Sequence, residues 1–386
     1  MPIIAKHENI EDENLKGDIE DVLSKADTAE VISVDEKVWE DNPPAPLNLP
    51  WAQRKFQGSP SQVLKNLQYL YNQGYTTYPR TENQQYGDDF DFATKILALG
   101  TASPFPVPNF KGEYNPTKGK KFDPAHPPIT PTTNIPDFGD LDQWQKMTYI
   151  RVVRHFLSTL MDPAIKRKVW YTLDVDGFEF EVELYQITKM GYFEQYKDYK
   201  RLYNDKELDL EEGDIVNITN WDIKKKQTDP PDLWTSSDII EKMEKENLGT
   251  SATRGSMIDK IKTRGYTNEN DGLESTRLGN NVIDALVEYA PMITDPSFTA
   301  EMQKNLTKLR NGDKNYDDVV MDARERTANA LIEMKKSEKE IGEGMAVDKK
   351  ACPKCNGDLY LKSSKKGDFY GCSNYNDKNC KYTENV

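Results

Sequence analysis

Residues 59–82 spell one helix from cap to stop and follow it at once with two reactive side chains on a stiffened backbone. Ser59 fits the N-cap, Pro60 the first helical position and Gln62 the third, the pattern of a capping box. Val63, Leu67, Leu70 and Tyr71 recur at helical spacing, and Gly74 suits a left-handed helix stop. The chain then runs Gly74-Tyr75-Thr76-Thr77-Tyr78-Pro79-Arg80-Thr81-Glu82. Pro79 fixes its own φ and biases Tyr78 toward extended backbone, so the Tyr78 and Arg80 side chains project to roughly the same side. A phenol that could act as a nucleophile thus stands beside a permanently charged anion binder suited to phosphate. A Tyr-Pro-Arg tripeptide alone is more often a surface turn.

The longer run Leu70-Tyr71-Asn72-Gln73-Gly74-Tyr75-Thr76-Thr77-Tyr78-Pro79-Arg80-Thr81-Glu82 resembles the active-site signature of type IA DNA topoisomerases. In that family the tyrosine of such a motif makes a transient covalent bond to DNA. The resemblance implies that Tyr78 is the nucleophile and Arg80 a phosphate ligand. Downstream, Ala125-His126-Pro127-Pro128-Ile129-Thr130-Pro131-Thr132 holds a histidine between prolines. A neutral structural histidine is the ordinary reading of such a loop. The passage is similar to a family motif whose imidazole lies near the scissile phosphate, which implies a site role for His126 as phosphate contact or proton relay.

Composition sets outer bounds. The chain has 386 residues, 36% hydrophobic, with a mean hydropathy of -0.81, room for two to four polar units with modest cores. No apolar run approaches the roughly 18 residues of a membrane span, and the acidic start lacks a secretory pattern. No membrane association is expected, and an intracellular, cytoplasmic and nucleoid-associated setting is. The net charge of -14 argues against free-standing affinity for nucleic acid, but it is uneven. Residues 1–50 carry 13 acids and 4 lysines, whereas residues 349–386 carry 8 lysines and 4 acids. Backbone binding depends on local basic surface rather than on the total.

Along the chain, residues 1–28 form an acidic helical lead-in. Ala29–Val38 suggests a strand, and Asn42-Pro43-Pro44-Ala45-Pro46-Leu47 a stiff connector. A polar helical segment is expected past Glu82, then a Pro- and Gly-rich loop over Thr101–Lys121, and a helix within Leu141–Leu160, where His155 is packing or surface. Two runs flanking Asp176-Gly177 predict a hairpin. From Ser236 helices return: Asp238 with Glu241 fits a capping pair, the turn Asn247-Leu248-Gly249 follows, and a second helix opens at Thr250 and carries Met257, Ile258 and Ile261 inward. Hydroxyls and an arginine at a helix N-terminus make a generic phosphate site. Leu248-Gly249-Thr250-Ser251-Ala252-Thr253-Arg254 resembles a family motif, which implies that Thr253 and Arg254 face the bound strand; a plain helical pair is the alternative.

All four cysteines lie in the last 35 residues: Cys352-Pro353-Lys354-Cys355, then sixteen residues to Cys372 and seven to Cys380. Two such pairs around a short hairpin predict a structural zinc ribbon with Cys352, Cys355, Cys372 and Cys380 as ligands; disulfide pairing is the alternative. Tyr360, Phe369, Tyr370, Tyr375 and Tyr382 interleave with Lys362, Lys365, Lys366 and Lys381, a pattern suited to single-stranded DNA.

The expected fold is multidomain α+β: a mostly helical type IA topoisomerase core with a β arch, plus a small C-terminal zinc ribbon. The boundaries are 1–28 lead-in, 29–57 with 164–235 arch, 58–163 catalytic tyrosine domain, 236–346 helical gate and 347–386 ribbon. The resemblance begins near Ala29 and covers about nine-tenths of the chain. Members of the family also need an N-terminal Toprim domain whose carboxylates hold Mg²⁺, and no counterpart to it, or to the Gly-Arg-Val-Gln segment before the arch, stands in this sequence. With Met1 at its start, the chain is expected to be a subunit or fragment acting with a separate Toprim partner, ATP-independently and through a 5′-phosphotyrosyl bond. A non-catalytic DNA-binding subunit or an inactive truncated remnant is the alternative. A tyrosine recombinase is disfavoured, because there the nucleophile usually follows its basic partners, whereas Tyr78 precedes His126.

Overall fold

The computed structural model describes residues 4–102, 107–108, 110, 114–123, 125–196, 208–269, 272–339, 341, 350–364, 367–375 and 380–385. The chain forms two compact units, Met1–Asn48 with Asn66–Pro230 and Leu49–Lys65 with Pro231–Val386.

The first unit contains a sheet core and a helical core. Strands β1 (Thr28–Asp41), β2 (Ala164–Val175), β3 (Phe178–Lys189) and β4 (Ile215–Asn217) make an antiparallel sheet in the order β3-β2-β1-β4. Asp176 and Gly177 turn the β2–β3 hairpin with φ of 50° and 88°, the left-handed pair a two-residue loop needs. Along β2, Val169, Tyr171, Leu173 and Val175 alternate into the core. Nearer the start of β2, Lys166 and Lys168 pair with Asp41 and Glu183. Helix α1 (Glu13–Leu23), capped by Asp12, adds Ile19 and Leu23 to that core.

The helical core gathers Leu70, Leu99, Leu141, Tyr149, Val153, Phe156 and Leu157. Its longest contributor, α5 (Gln143–Ser158), starts from a reciprocal capping box between Asp142 and Gln145. Tyr86, Phe90 and Phe92 pack their rings against Phe156. The helical segment expected just past Glu82 begins later, as α4 (Phe92–Ala102). Over 83–91 the backbone is irregular, because side chains capture it first: Thr81 Oγ1 accepts from Asn83 N, and Asn83 Oδ1 accepts from Gln85 N. The predicted loop 101–121 lies partly outside the described residues.

His155 is buried in this core. Its Nε2 donates to the carbonyl of Ala45, 2.8 Å away, and so ties the proline-rich connector to α5.

In the second unit, α2 (Leu49–Lys55) packs on α6 (Ser236–Lys245) and α7 (Ser251–Thr263). An Arg54–Glu244 ion pair at 2.9 Å joins the first two. This packing groups residues 49–65 with the later helices, so the observed division differs from a boundary at 57/58. Gly255 on α7 lets backbones approach: a Cβ there would lie 3.2–3.3 Å from Gln53, Pro60 and Ser61. The α6 N-cap is Thr235, with Asp238 as its capping-box partner, so Asp238 is inside the helix rather than before it. Ile258 is buried as expected, whereas Met257 is exposed. A short hairpin of β5 (Thr267–Glu269) and β6 (Leu273–Ser275) precedes helices α8 (Arg277–Tyr289), α9 (Pro291–Thr294), α10 (Pro296–Arg310) and α11 (Tyr316–Lys336). Strands β7 (Lys350–Ala351), β8 (Asp358–Ser364), β9 (Gly367–Cys372) and β10 (Thr383–Asn385) form a second antiparallel sheet in the order β10-β9-β8-β7. Among the described residues no helix is long and apolar enough to cross a membrane.

Burial holds the His155 imidazole down to about 4, against an ordinary value near 6.5. Its depressed folded value means the unfolded chain takes up this proton first as pH falls. Stability is therefore full above about 6.5 and lost as pH drops toward 4, by about 2 kcal/mol at pH 5. Urea unfolding at pH 7.5 and pH 5 is expected to show this loss in the wild type, with a smaller pH difference in His155→Gln.

Candidate active site and metal centre

The tyrosine segment is held by both its neighbours in sequence and a partner strand fifty residues on. Helix α3 (Pro60–Asn72) begins as expected, with Gln62 N donating to Ser59 Oγ. It ends in a Schellman turn: Tyr75 N donates to Leu70 O, Gly74 N to Tyr71 O, and Gly74 sits at φ 77°. Val63, Leu67 and Leu70 are buried, but Tyr71 stays 40% exposed. Its ring meets Tyr78 edge-on, with centroids 5.3 Å apart.

Beyond the turn, the backbone pairs with the histidine motif. Thr77 N donates to Thr130 O at 2.9 Å, Thr132 N donates to Tyr75 O at 3.0 Å, and Thr76 bridges Pro131. Thr77 Oγ1 donates to Pro128 O at 2.7 Å and accepts from Thr130 N at 2.9 Å. On the other side of Tyr78, buried Asn83 donates both amide hydrogens, one to Asp123 O at 3.0 Å and one to His126 O at 2.8 Å. These bonds bring the half-buried Tyr78 ring within 5.7 Å of the His126 imidazole, tilted by 30°. His126 Nδ1 lies 2.9 Å from Asp123 Oδ2. Glu82, closing the motif, pairs with Lys121 at 2.8 Å.

Of the residues singled out in sequence, Tyr78 and His126 are thus brought together. Arg80 is exposed on the same segment, its Nε 3.5 Å from Gln68 Oε1. Thr77, Asn83 and Asp123 were not singled out. Their roles depend on contacts across 40 to 50 residues, and only the Asp-x-x-His spacing of 123 and 126 leaves a local trace.

In the second unit, Thr253 is exposed at the start of α7, its Oγ1 accepting from Thr250 N at 3.0 Å in a capping box. Arg254 differs from the strand-facing placement expected of it. It is 4% exposed, and its guanidinium donates to the carbonyls of Leu248 and Gly249, both at 3.1 Å. The turn after α6 takes positive φ at Asn247 and Gly249, and the buried arginine satisfies carbonyls of that turn.

The four cysteine sulfurs lie within 4.8 Å of one another. Cys352–Cys380 and Cys355–Cys372 are 3.7 and 3.3 Å apart, well beyond the ~2.05 Å of a disulfide, and all four are free thiols. A tetrahedral zinc with Zn–S bonds of ~2.3 Å sets its sulfurs roughly 3.8 Å apart, so this donor set fits that ion. Asn374 supports it from outside: its N donates to Cys372 Sγ and its Nδ2 to Cys355 Sγ. The Asn374 bond is the main cause that draws the Cys355 thiol down to about 6. Tyr370 is core here and Tyr375 is 50% exposed, with Tyr382 under the Lys354 ammonium. The Tyr360, Lys362, Lys365 and Lys366 side chains lie outside the described residues.

Comparison with known proteins fits this arrangement. A family model described as DNA topoisomerase matches residues 4–321. The chain belongs to the type IA DNA topoisomerase family. A second model, described as topoisomerase DNA binding C4 zinc finger, matches residues 349–386, so this topoisomerase chain carries a zinc ribbon. DNA topoisomerase 1 of Pyrococcus horikoshii is 34% identical, over 89% of this chain and 53% of its own length. DNA topoisomerase 1 of Methanocaldococcus jannaschii is 33% identical, over 92% and 49%. The chain thus spans about half the length of these curated relatives. Full-length topoisomerase I from Thermotoga maritima shares the fold, with a TM-score of 0.69 at 22% identity over 100% of this chain and 64% of that one.

Two outcomes are expected. Asn83→Ala removes the amide that bonds the carbonyls of Asp123 and His126 and should lower unfolding free energy by about 2 kcal/mol in urea titration. A zinc chelator should release about one zinc per chain and unfold the ribbon, read by a chromophoric zinc indicator and by loss of protease resistance after residue 350.

Proposed function

We propose that this chain supplies the nucleophile of a type IA topoisomerase and works on single-stranded DNA together with a Toprim-bearing polypeptide. The Tyr78 phenol oxygen attacks a backbone phosphorus. The phosphorus–O3′ bond breaks, the phenolic proton is lost, and the leaving O3′ is protonated. The products are a 5′-phosphotyrosyl bond and a free 3′-hydroxyl. Religation reverses the step without ATP, because the tyrosyl ester retains the phosphodiester energy.

A phenol with a pKa near 10 is a weak nucleophile at neutral pH, so its surroundings must help. His126, one ring away, is placed to bond the phosphate or pass a proton. Arg80, exposed two residues on, can lean over the charged phosphorane. Carboxylates of the Toprim partner would hold Mg²⁺, which adds positive charge at the phosphate. Thr253 at the α7 start and the exposed Tyr375 of the ribbon are candidate strand contacts, with Arg254 shaping the turn rather than touching DNA. The observation that carries this reading is the Tyr78–His126 pair, built from two motifs fifty residues apart.

The test adds a Toprim polypeptide in trans with Mg²⁺ and an oligonucleotide labelled at its 3′ end. Label is expected to become covalently attached to this chain, and Tyr78→Phe to abolish attachment. Arg80→Ala should slow it by about 10²- to 10³-fold, the usual effect of removing one donor to a developing oxyanion. Attachment that survives in Tyr78→Phe would overturn the assignment. DNA binding with no attachment in any reconstitution would favour a non-catalytic binding subunit.

A further inference from the structure

We infer that Asp123 is a positioning residue that dictates which nitrogen of His126 carries the proton; its consequence for cleavage rests on the function proposed above. An ionised carboxylate only accepts hydrogen bonds. Asp123 Oδ1 accepts from Ala125 N at 3.0 Å, and Oδ2 lies 2.9 Å from His126 Nδ1. Nδ1 must therefore be a donor. In the neutral ring this leaves Nε2 with the lone pair, the opposite of the form that free imidazole side chains prefer in water. Among the described residues nothing bonds Nε2. Any proton that His126 exchanges with the Tyr78 phenol or with a phosphate oxygen then passes through Nε2, because Nδ1 is committed.

The frame around the pair is rigid enough for this choice to matter. Asn83 holds the backbone carbonyls of both Asp123 and His126, so the turn cannot slide relative to the tyrosine segment. On the tyrosine segment Glu82 is paired with Lys121, which leaves Asp123 as the carboxylate in hydrogen-bond contact with the imidazole among the described residues.

Asparagine at 123 separates the proton-directing role from the turn. Its single carbonyl oxygen keeps the bond from Ala125 N, and its amide then offers a donor to Nδ1. The proton should move to Nε2. The chain has three histidines, so selective ¹⁵N-histidine labelling gives few signals, and those of His126 are identified by their loss in His126→Gln. At about pH 9, where imidazole is neutral, the ¹⁵N shifts of the full chain should show Nδ1–H in the wild type and Nε2–H in Asp123→Asn. In the reconstituted cleavage assay Asp123→Asn should lower the rate by about 10- to 100-fold, the usual effect of losing an orienting partner, with DNA affinity unchanged. A wild type in the Nε2–H form, or a variant with unaltered shifts, overturns the inference. So does a variant whose shifts change while its cleavage rate does not. Should the wild type never attach to DNA, the proposed function fails while the nitrogen shifts still decide the role of Asp123 in the free protein.

Discussion

Everything chemical in the first unit depends on a short antiparallel pairing between residues 75–77 and 130–132. Four residues on one side are enough: a glycine to stop the helix, then three that hand their backbone to a distant strand. Thr77 carries most of the specificity, because its backbone N–H and its hydroxyl together engage Pro128 and Thr130. Prolines at 127, 128 and 131 cannot donate, so a partner strand there has few N–H groups with which to pair. Thr77 supplies the missing complement. Each such bond contributes about 1 kcal/mol net, but a buried donor or acceptor left without one costs about 1–3 kcal/mol. The pairing is thus maintained less by its own strength than by the cost of breaking it, which suits a site that must hold two rings in a fixed relation.

What could be read in the sequence was what is local. The α3 cap and stop, the Asp176-Gly177 hairpin, the helix from Gln143 and the cysteine cluster all follow from residues within a turn or a loop of each other. Periodicity failed where a position sits at the edge of an apolar stripe. Tyr71 has helical spacing with Leu67 and Leu70 yet stands outside against Tyr78, and Met257 neighbours buried Ile258 yet is exposed. The α6 cap was displaced by one turn because Thr235 and Asp238 make a reciprocal pair, and an acid at the third helical position looks in sequence like an acid before the first. The site was half legible. A motif names the candidate residues, but Asn83 and Asp123 look like any polar loop residues until the fold brings 81–83 against 123–126.

Arg254 shows the same limit from the other side. An arginine at a helix start after Gly-Thr-Ser invites a phosphate, and chemically nothing in the sequence contradicts that. Its burial follows from the preceding turn, whose left-handed residues point carbonyls inward. A guanidinium is weakly hydrated for an ion and offers several donors in one plane, so it suits that work better than lysine would. The exposed member of the pair is the short Thr253, which leaves the α7 start accessible. The ribbon resolves a comparable tension, since a polar segment of under forty residues has too little apolar surface to fold alone, and four sulfurs drawn within 4.8 Å supply a metal-centred core instead.

The proposed contact with DNA has to be compatible with a net charge of -14. Charges act over about a Debye length, roughly 8 Å at physiological salt, so the acids of residues 1–50 matter at Tyr78 only if the fold brings them near. Close to the tyrosine, Glu82 is neutralised by Lys121 at hydrogen-bond distance, and Asp123 is hydrogen-bonded to the His126 imidazole. Arg80 is the exposed charge of the segment itself. With Arg80 set against Asp123, the named charges around this phenol balance within an acidic chain. Such a surface can hold one phosphate without attracting duplex DNA along its whole length, which is what the proposed reversible cleavage would require.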